Sequence, residues 1–430
     1  MTQSHINLRD HIGRTLDRPL TLAVVGAGAR GSAYADFAAQ WPDKVRIVAV
    51  AEPREAARKY FADRHELRPE LVCDTWQELA ARGRIADAVL IATLDADHLA
   101  PTEAFAGLGY DILLEKPIAP SEAETMAVGE VAAQTGAMVA VCHVMRYTPY
   151  TRAVLAMLER IGEIVSVEHL EPVGWYHFAH SFVRGNWRRE EEATFAMLAK
   201  SCHDIDWLGY VIGREARRVS SFGGLRHFRP ENKPEGAADR CVTCPVEGDC
   251  AYSAARMYRE GLRNGGTKQY FTRIMTGNVL TEEAVTAALT DGPYGRCVYS
   301  CDNDVVDHQV VNIEYEGGVT ASFTLTAFTP LENRHTKIFG TRGQLTGDGR
   351  HLSIYDFRTE QTTVIDTSVD GSSAAEGHAG GDAGLIRSFV TALHEGRPDL
   401  VLSGIAESVA SHRVVFAAER ARREGVVITL

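Results

Sequence analysis

No uninterrupted apolar run in this 430-residue chain reaches the roughly 18 residues that a membrane span requires, which excludes a helical span on sequence grounds. No secretory leader is expected either. His5, Arg9, Asp10, Arg14, Asp17 and Arg18 crowd the first twenty positions where an apolar signal region would lie, so the expected location is the cytoplasm. Basic residues are in deficit: 45 Lys and Arg against 57 Asp and Glu leave a net charge of -12. Nucleic acid or an anionic membrane as main partner would call for a basic face. Cysteine is scarce as well. Eight in 430 residues are too few for a secreted disulfide scaffold. No repeat or biased segment dominates, and 45% hydrophobic with 24% charged residues is the composition of an ordinary globular protein. The length predicts two domains.

What is present begins with Leu20 to Ser32, LTLAVVGAGARGS. The apolar run has the length of a buried parallel strand, and Gly26, Gly28 and Gly31 follow it in G-x-G-x-x-G spacing. In a dinucleotide fold the first glycine permits a tight turn and the second lets the backbone approach a pyrophosphate. The third allows close helix–strand packing, while free N–H groups at the helix start face the phosphates. Ala29 and Arg30 share this turn. An alanine-rich helix over 33–39 and a second strand, Val45 to Val50, follow; Glu52 then stands twenty-one positions after Gly31, where an acidic side chain takes ribose hydroxyls. These residues predict NAD; Arg54 and Arg30 keep NADP in play.

Further along, helical segments over 54–64, 76–81, 98–107 and 121–135 alternate with strands over 72–74, 86–92, 111–114 and 138–142. Such alternation predicts a doubly wound parallel sheet of the Rossmann type over residues 19–146, after a polar lead-in at 1–18. Thr93 and His98 fall at the carboxyl edge of the sheet, where ligands of open α/β sheets bind, and Glu115 and Lys116 end the next strand. From 147 to 430 the pattern changes. Runs over 164–170, 219–223, 307–315, 319–328 and 336–340 read as strands of a mixed or antiparallel sheet, and Glu316-Gly317-Gly318 as a hairpin turn. Residues 368–384 read as a surface loop and 194–211 as a helix.

The GAGARG turn, ATLDADH after the fourth strand, LLEKPIA after the fifth, VCHVMRYTP, SCHDIDWL at 201–208 and VVNIEYEGGVTASFTL at 310–325 together resemble the Gfo/Idh/MocA family of sugar and polyol oxidoreductases. The likeness spans most of the chain and is weak between about 222 and 300. It implies a C-terminal α+β domain with a large open sheet, helices on one face, and another subunit against the other face, in a homodimer or homotetramer. It also points to Lys116 as the group that removes or relays the hydroxyl proton as hydride leaves carbon; a cis Lys116–Pro117 bond would turn that side chain inward. His203 matches the family's second catalytic position. The family places an aspartate one helical turn before it, and here that position is Ala199. Lys116 and His203 are then left to handle protons, with Lys200 or Asp204 beside them.

Just ahead of that helix, GWYHFAHSFVRGNWRR offers aromatic faces and fork-shaped donors suited to a sugar ring: Tyr176, His177, His180, Arg184 and Trp187 join Lys200 as substrate-site candidates. Cys241, Cys244 and Cys250 form C-x2-C-x5-C in an insert over 222–300, with Cys297 and Cys301 some fifty residues on. The expectation is a structural zinc closed by Cys301, with an iron–sulfur cluster as its rival. Function is read as NAD-dependent hydride transfer on a carbohydrate or cyclic polyol. A glycoside hydrolase that oxidises its sugar transiently and a non-catalytic, NAD-containing sugar sensor are the alternatives.

Overall fold

The computed structural model describes residues 16–368 and 380–430. Most of the lead-in expected over 1–18 and the middle of the loop expected over 368–384 lie outside the described residues. The chain forms two compact units: one takes the described chain up to Ala156, then Ile205–Gly213 and the described part of Ser368–Phe416; the other takes Met157–Asp204, Arg214–Thr367 and Ala417–Leu430.

The first unit alternates β1 (Leu20–Val25), α1 (Ala29–Ala39), β2 (Val45–Ala51), α2 (Glu55–Arg64), β3 (Val72–Cys73), α3 (Trp76–Ala80), β4 (Ala88–Ile91), α4 (Leu99–Gly107), β5 (Asp111–Leu114), α5 (Glu122–Thr135) and β6 (Val139–Val141). The strands pair in parallel in the order β3-β2-β1-β4-β5-β6, the doubly wound Rossmann order. A parallel sheet of this kind is covered on both faces, so its strands read as mostly continuous apolar runs, broken by Thr21 in β1, Arg46 in β2 and Asp111 at the start of β5. Along β1, Leu20, Leu22 and Val24 enter one core layer with Tyr34 and Phe61, while Ala23 and Val25 enter the other with Leu79 and Phe105. Helix α1 begins at Ala29, a turn earlier than its alanine-rich stretch suggests.

In the remaining chain come α6 (Pro149–Ile161), β7 (Ile164–Pro172), α7 (Trp175–Phe178), α8 (Ala196–Ile212), β8 (Ala216–Gly224), α9 (Ala254–Asn264), α10 (Gly266–Thr276) and α11 (Glu282–Asp291). They are followed by β9 (His308–Tyr315), β10 (Thr320–Thr326), β11 (His335–Gly340), β12 (Gly343–Gly347), β13 (His351–Asp356), β14 (Gln361–Asp366), α12 (Gly381–Glu395), α13 (Ile405–Glu424) and β15 (Ile428–Thr429). Nine strands make the second sheet, ordered β14-β13-β12-β11-β7-β10-β9-β8-β15. Only β10 and β7 run parallel; every other pair is antiparallel, which makes the sheet mixed, as the sequence predicts. Gly317 and Gly318, both at positive φ, carry the chain from β9 to β10.

One expectation needs correcting. Residues 381–384, read as surface loop, start helix α12, whose Leu385, Ile386 and Phe389 complete a core layer of the first unit. The cysteine-bearing insert, whose elements the sequence pattern leaves unassigned, is helical: α9, α10 and α11 close around Met257, Tyr258, Phe271, Val285 and Leu289. Among the described residues no helix is long and apolar enough to cross a membrane.

Candidate functional site

In the first unit the glycine turn is shaped by contacts that leave its outer side open. Gly26 has φ +91°, and a Cβ there would stand 2.5 Å from the Ala92 carbonyl oxygen. One at Gly31 would stand 1.9 Å from the Gly26 carbonyl oxygen. Both glycines are therefore required by the turn itself. Gly28 differs: a Cβ there meets only the Arg54 guanidinium, at 3.6 Å. Gly28 caps α1 without any side-chain bond to the first turn, which leaves N–H donors at the positive end of the helix dipole for an anion. Glu52, at the end of β2, is buried. Its carboxylate accepts the Ala27 N–H at 2.9 Å and Arg54 Nε at 2.7 Å. Burial raises its pKa, but the Arg54 hydrogen bonds and charge bring it net below the usual carboxylate value. These features fit a dinucleotide: an open pyrophosphate cradle beside an ionised carboxylate.

Arg30 turns away from that role. Its guanidinium bonds Glu115 at 2.8 Å and Asp382 at 2.6 Å, under the Tyr34 ring. Thr93 donates its hydroxyl to the Asp97 carbonyl at 2.8 Å. His98 is fully buried; its Nδ1 bonds the Pro117 carbonyl at 2.8 Å, so Nδ1 carries the proton, and Nε2 is left without a partner among the described residues. The Lys116–Pro117 bond is cis, and Glu115 accepts the Lys116 backbone N–H.

A polar cluster that motif reading did not resolve lies in the same unit. Arg146 forks onto Asp206 at 2.7 and 2.6 Å, and His143 Nε2 is 3.8 Å from that aspartate. The His412 ring stands 5.4 Å from the His143 ring. His412 Nδ1 donates to the Ser408 carbonyl and Nε2 accepts the Ile118 N–H, which fixes a neutral tautomer. Burial drives His143 down to about 4 and His412 to about 3; the Lys116 charge adds to both shifts, so the three groups are neighbours.

In the second unit, His203 is buried on α8. The following residue, Asp204, is committed elsewhere: it accepts Arg334 Nε at 2.9 Å and His169 Nε2 at 3.1 Å. Arg334 also reaches Glu171 at 2.6 Å, and Lys200 reaches the same carboxylate at 3.2 Å. Burial opposes the Asp204 charge, yet Arg334 and His169 hold its pKa well below the ordinary carboxylate range. The result is a buried, charge-balanced network that places Lys200 next to Glu171. Ala199 is buried and supplies no carboxylate.

Of the aromatic and basic stretch, Tyr176, His177 and Trp187 remain partly exposed. His180 does not. It bonds the Tyr258 hydroxyl at 2.7 Å and stacks on Tyr294, and burial lowers its pKa to about 3. Arg184 is turned into the cysteine-bearing insert. Both are withdrawn from the substrate candidates. The expected zinc set also needs correction: among the described residues no group of His, Cys, Asp or Glu is arranged to share a metal ion, and the Cys301 thiol donates to the Cys297 carbonyl at 3.2 Å.

Residues 20–143 match the oxidoreductase family signature of the NAD-binding Rossmann fold, and residues 156–430 match the C-terminal alpha/beta domain of that family. The chain belongs to the Gfo/Idh/MocA oxidoreductase family. Its curated relatives include YteT of Bacillus subtilis, 24% identical over 368 residues, covering 79% of this chain and 80% of that protein. Among solved structures, an oxidoreductase from Agrobacterium radiobacter in complex with NAD+, L-tartaric acid and magnesium superimposes with TM-score 0.70 at 16% identity, covering 95% of this chain and 98% of that one. An inositol dehydrogenase homolog from Azotobacter vinelandii, complexed with NADH and myo-inositol, gives TM-score 0.67 at 16% identity over 98% and 100% of the two chains.

Proposed function

We propose that this oxidoreductase transfers a hydride between a ring carbon of a carbohydrate or cyclic polyol and the nicotinamide of NAD. The observation that carries the reading is the glycine cradle, in which Gly28 is open on its outer side and Glu52 stands ionised beside it. NAD, when bound, supplies the hydride acceptor or donor. Gly26, Gly28, Ala29 and Gly31 would hold its pyrophosphate, and Glu52 its ribose hydroxyls, which disfavours the extra phosphate of NADP. Thr93, His98 and Glu115 are assigned to the rest of the cofactor. The family's ligands, including the myo-inositol of the Azotobacter vinelandii protein, support a polyol or sugar as substrate.

Lys116 holds or moves the substrate hydroxyl proton, and His203 is the second group for that proton. Lys200, Tyr176, His177 and Trp187 contact substrate. A homodimer or homotetramer is supported by apolar side chains exposed on one face of the nine-stranded sheet, Phe222 and Val364 among them. Mass spectrometry of ligand retained through purification tests the substrate class: a sugar or polyol supports it, and an aliphatic or aromatic metabolite opposes it.

Ala199 favours one second reading. Without the aspartate before His203, oxidation of a glycoside followed by elimination and return of the hydride would consume no cofactor. Aglycone release with tightly held NAD and no accumulated NADH would select it.

A further inference from the structure

The insert of the second unit gathers four cysteines around one cavity. Cys241, Cys244, Cys250 and Cys297 all line it, together with Arg184 and Tyr299. Two single-turn helices deliver three of them: Cys241 opens the first, and Cys244 and Cys250 are the residues on which the two turns end. The distant fourth arrives through backbone pairing. Arg240 and Arg296 form an antiparallel bridge, and the Cys297 N–H donates to the Asp239 carbonyl at 2.8 Å. Cys301 does not line the cavity.

The surroundings suit a negatively charged occupant. Arg184 is 1% exposed and, among the described residues, has no carboxylate within ion-pair distance. Its donors go to the Arg296 carbonyl at 2.8 Å, the Tyr252 carbonyl at 2.8 Å and Cys241 Sγ at 3.7 Å. A buried guanidinium whose acceptors are two carbonyls and a cysteine sulfur, with no carboxylate, retains an uncompensated charge, which is costly unless an anion lies beside it. The Ala254 N–H, at the start of the 11-residue α9, also points at Cys241 Sγ, at 3.4 Å. Two donors and a helix dipole thus converge on one thiol, the arrangement that stabilises thiolate bound to metal.

A single zinc draws its four sulfurs to about 2.3 Å from one centre, hence close to each other. Among the described residues no three metal-binding side chains stand in that relation. A cluster spreads its four thiolates over several iron atoms, so they stand further apart around one common cavity. We infer that Cys241, Cys244, Cys250 and Cys297 hold an iron–sulfur cluster, whose net negative charge Arg184 balances. It would fasten the two single-turn helices and the Cys297 segment together.

The test is anaerobic purification of the full chain, reconstitution with ferrous iron and sulfide, and assay of iron, acid-labile sulfide and zinc. Expected are roughly two to four irons per chain with sulfide in about equal amount and a visible charge-transfer band. Cys297→Ser should lose most of the iron and sulfide, while Cys301→Ser keeps them. NAD calorimetry on each variant shows whether the first unit is folded; should Cys297→Ser fail to fold, wild type and Cys301→Ser decide the matter. Stoichiometric zinc without sulfide, no bound metal after reconstitution, or equal loss in Cys301→Ser would each overturn the assignment.

Discussion

Gly28 separates two jobs that glycines do in the same turn. Gly26 and Gly31 are needed to form it, because a Cβ at either would meet a carbonyl oxygen at 2.5 or 1.9 Å. Gly28 has room for a side chain, so Gly28→Val should leave thermal stability within about 1 kcal/mol of wild type. NAD binding should be abolished in calorimetry, and retained affinity would move the cofactor elsewhere. Lys116→Ala should cut turnover about a hundredfold or more while NAD affinity stays near wild type, as expected for loss of a proton-transfer group. The glycine turn and the place of Lys116 just past β5 were legible because they are local, set by spacing and strand ends, while the role proposed for Lys116 rests on the family resemblance. Arg30 was not. Its partner Asp382 lies 352 positions away, and nothing in the sequence near residue 30 announces it.

At the scale of elements, legibility follows how closely the local pattern agrees with the final burial. The Rossmann strands read clearly since both faces of each are covered and nearly every position is apolar. Strand β12, GQLTG, has only Leu345 as a large apolar residue and is bounded by glycines, so it passes for a loop until its pairing with β11 and β13 is known. Helix α12 begins inside a stretch of small residues, and its buried Asp382 makes sense only once Arg30 is opposite. The motif VCHVMRYTP announced a special segment without saying what it holds: Arg146 bonded to the buried Asp206 of SCHDIDWL. Removing one member of such a pair strands the other's charge. Asp206→Asn should therefore cost about 3–5 kcal/mol in chemical denaturation, and a change below 1 kcal/mol would show the pair to be dispensable.

For the molecule as a whole, acid sensitivity should come from imidazoles before carboxylates. His143 and His412 are held neutral, at about 4 and about 3, whereas in the unfolded chain they return to about 6.5. Below that value the unfolded chain binds protons that the folded chain does not, so stability falls as pH drops from 6.5 toward 4, by up to roughly 1.4 kcal/mol per pH unit for each ring. His412→Gln should flatten the slope in denaturation curves taken across that range; an unchanged slope would place the titration elsewhere. The central claim is the hydride transfer itself, and its most direct measurement is NADH absorbance while the enzyme is mixed with NAD and a panel of sugars and cyclic polyols. The account predicts stoichiometric NADH formation with at least one panel member and its loss in Lys116→Ala with NAD binding preserved. Bound NAD that is never reduced by any member, in a folded and cofactor-competent protein, would contradict it.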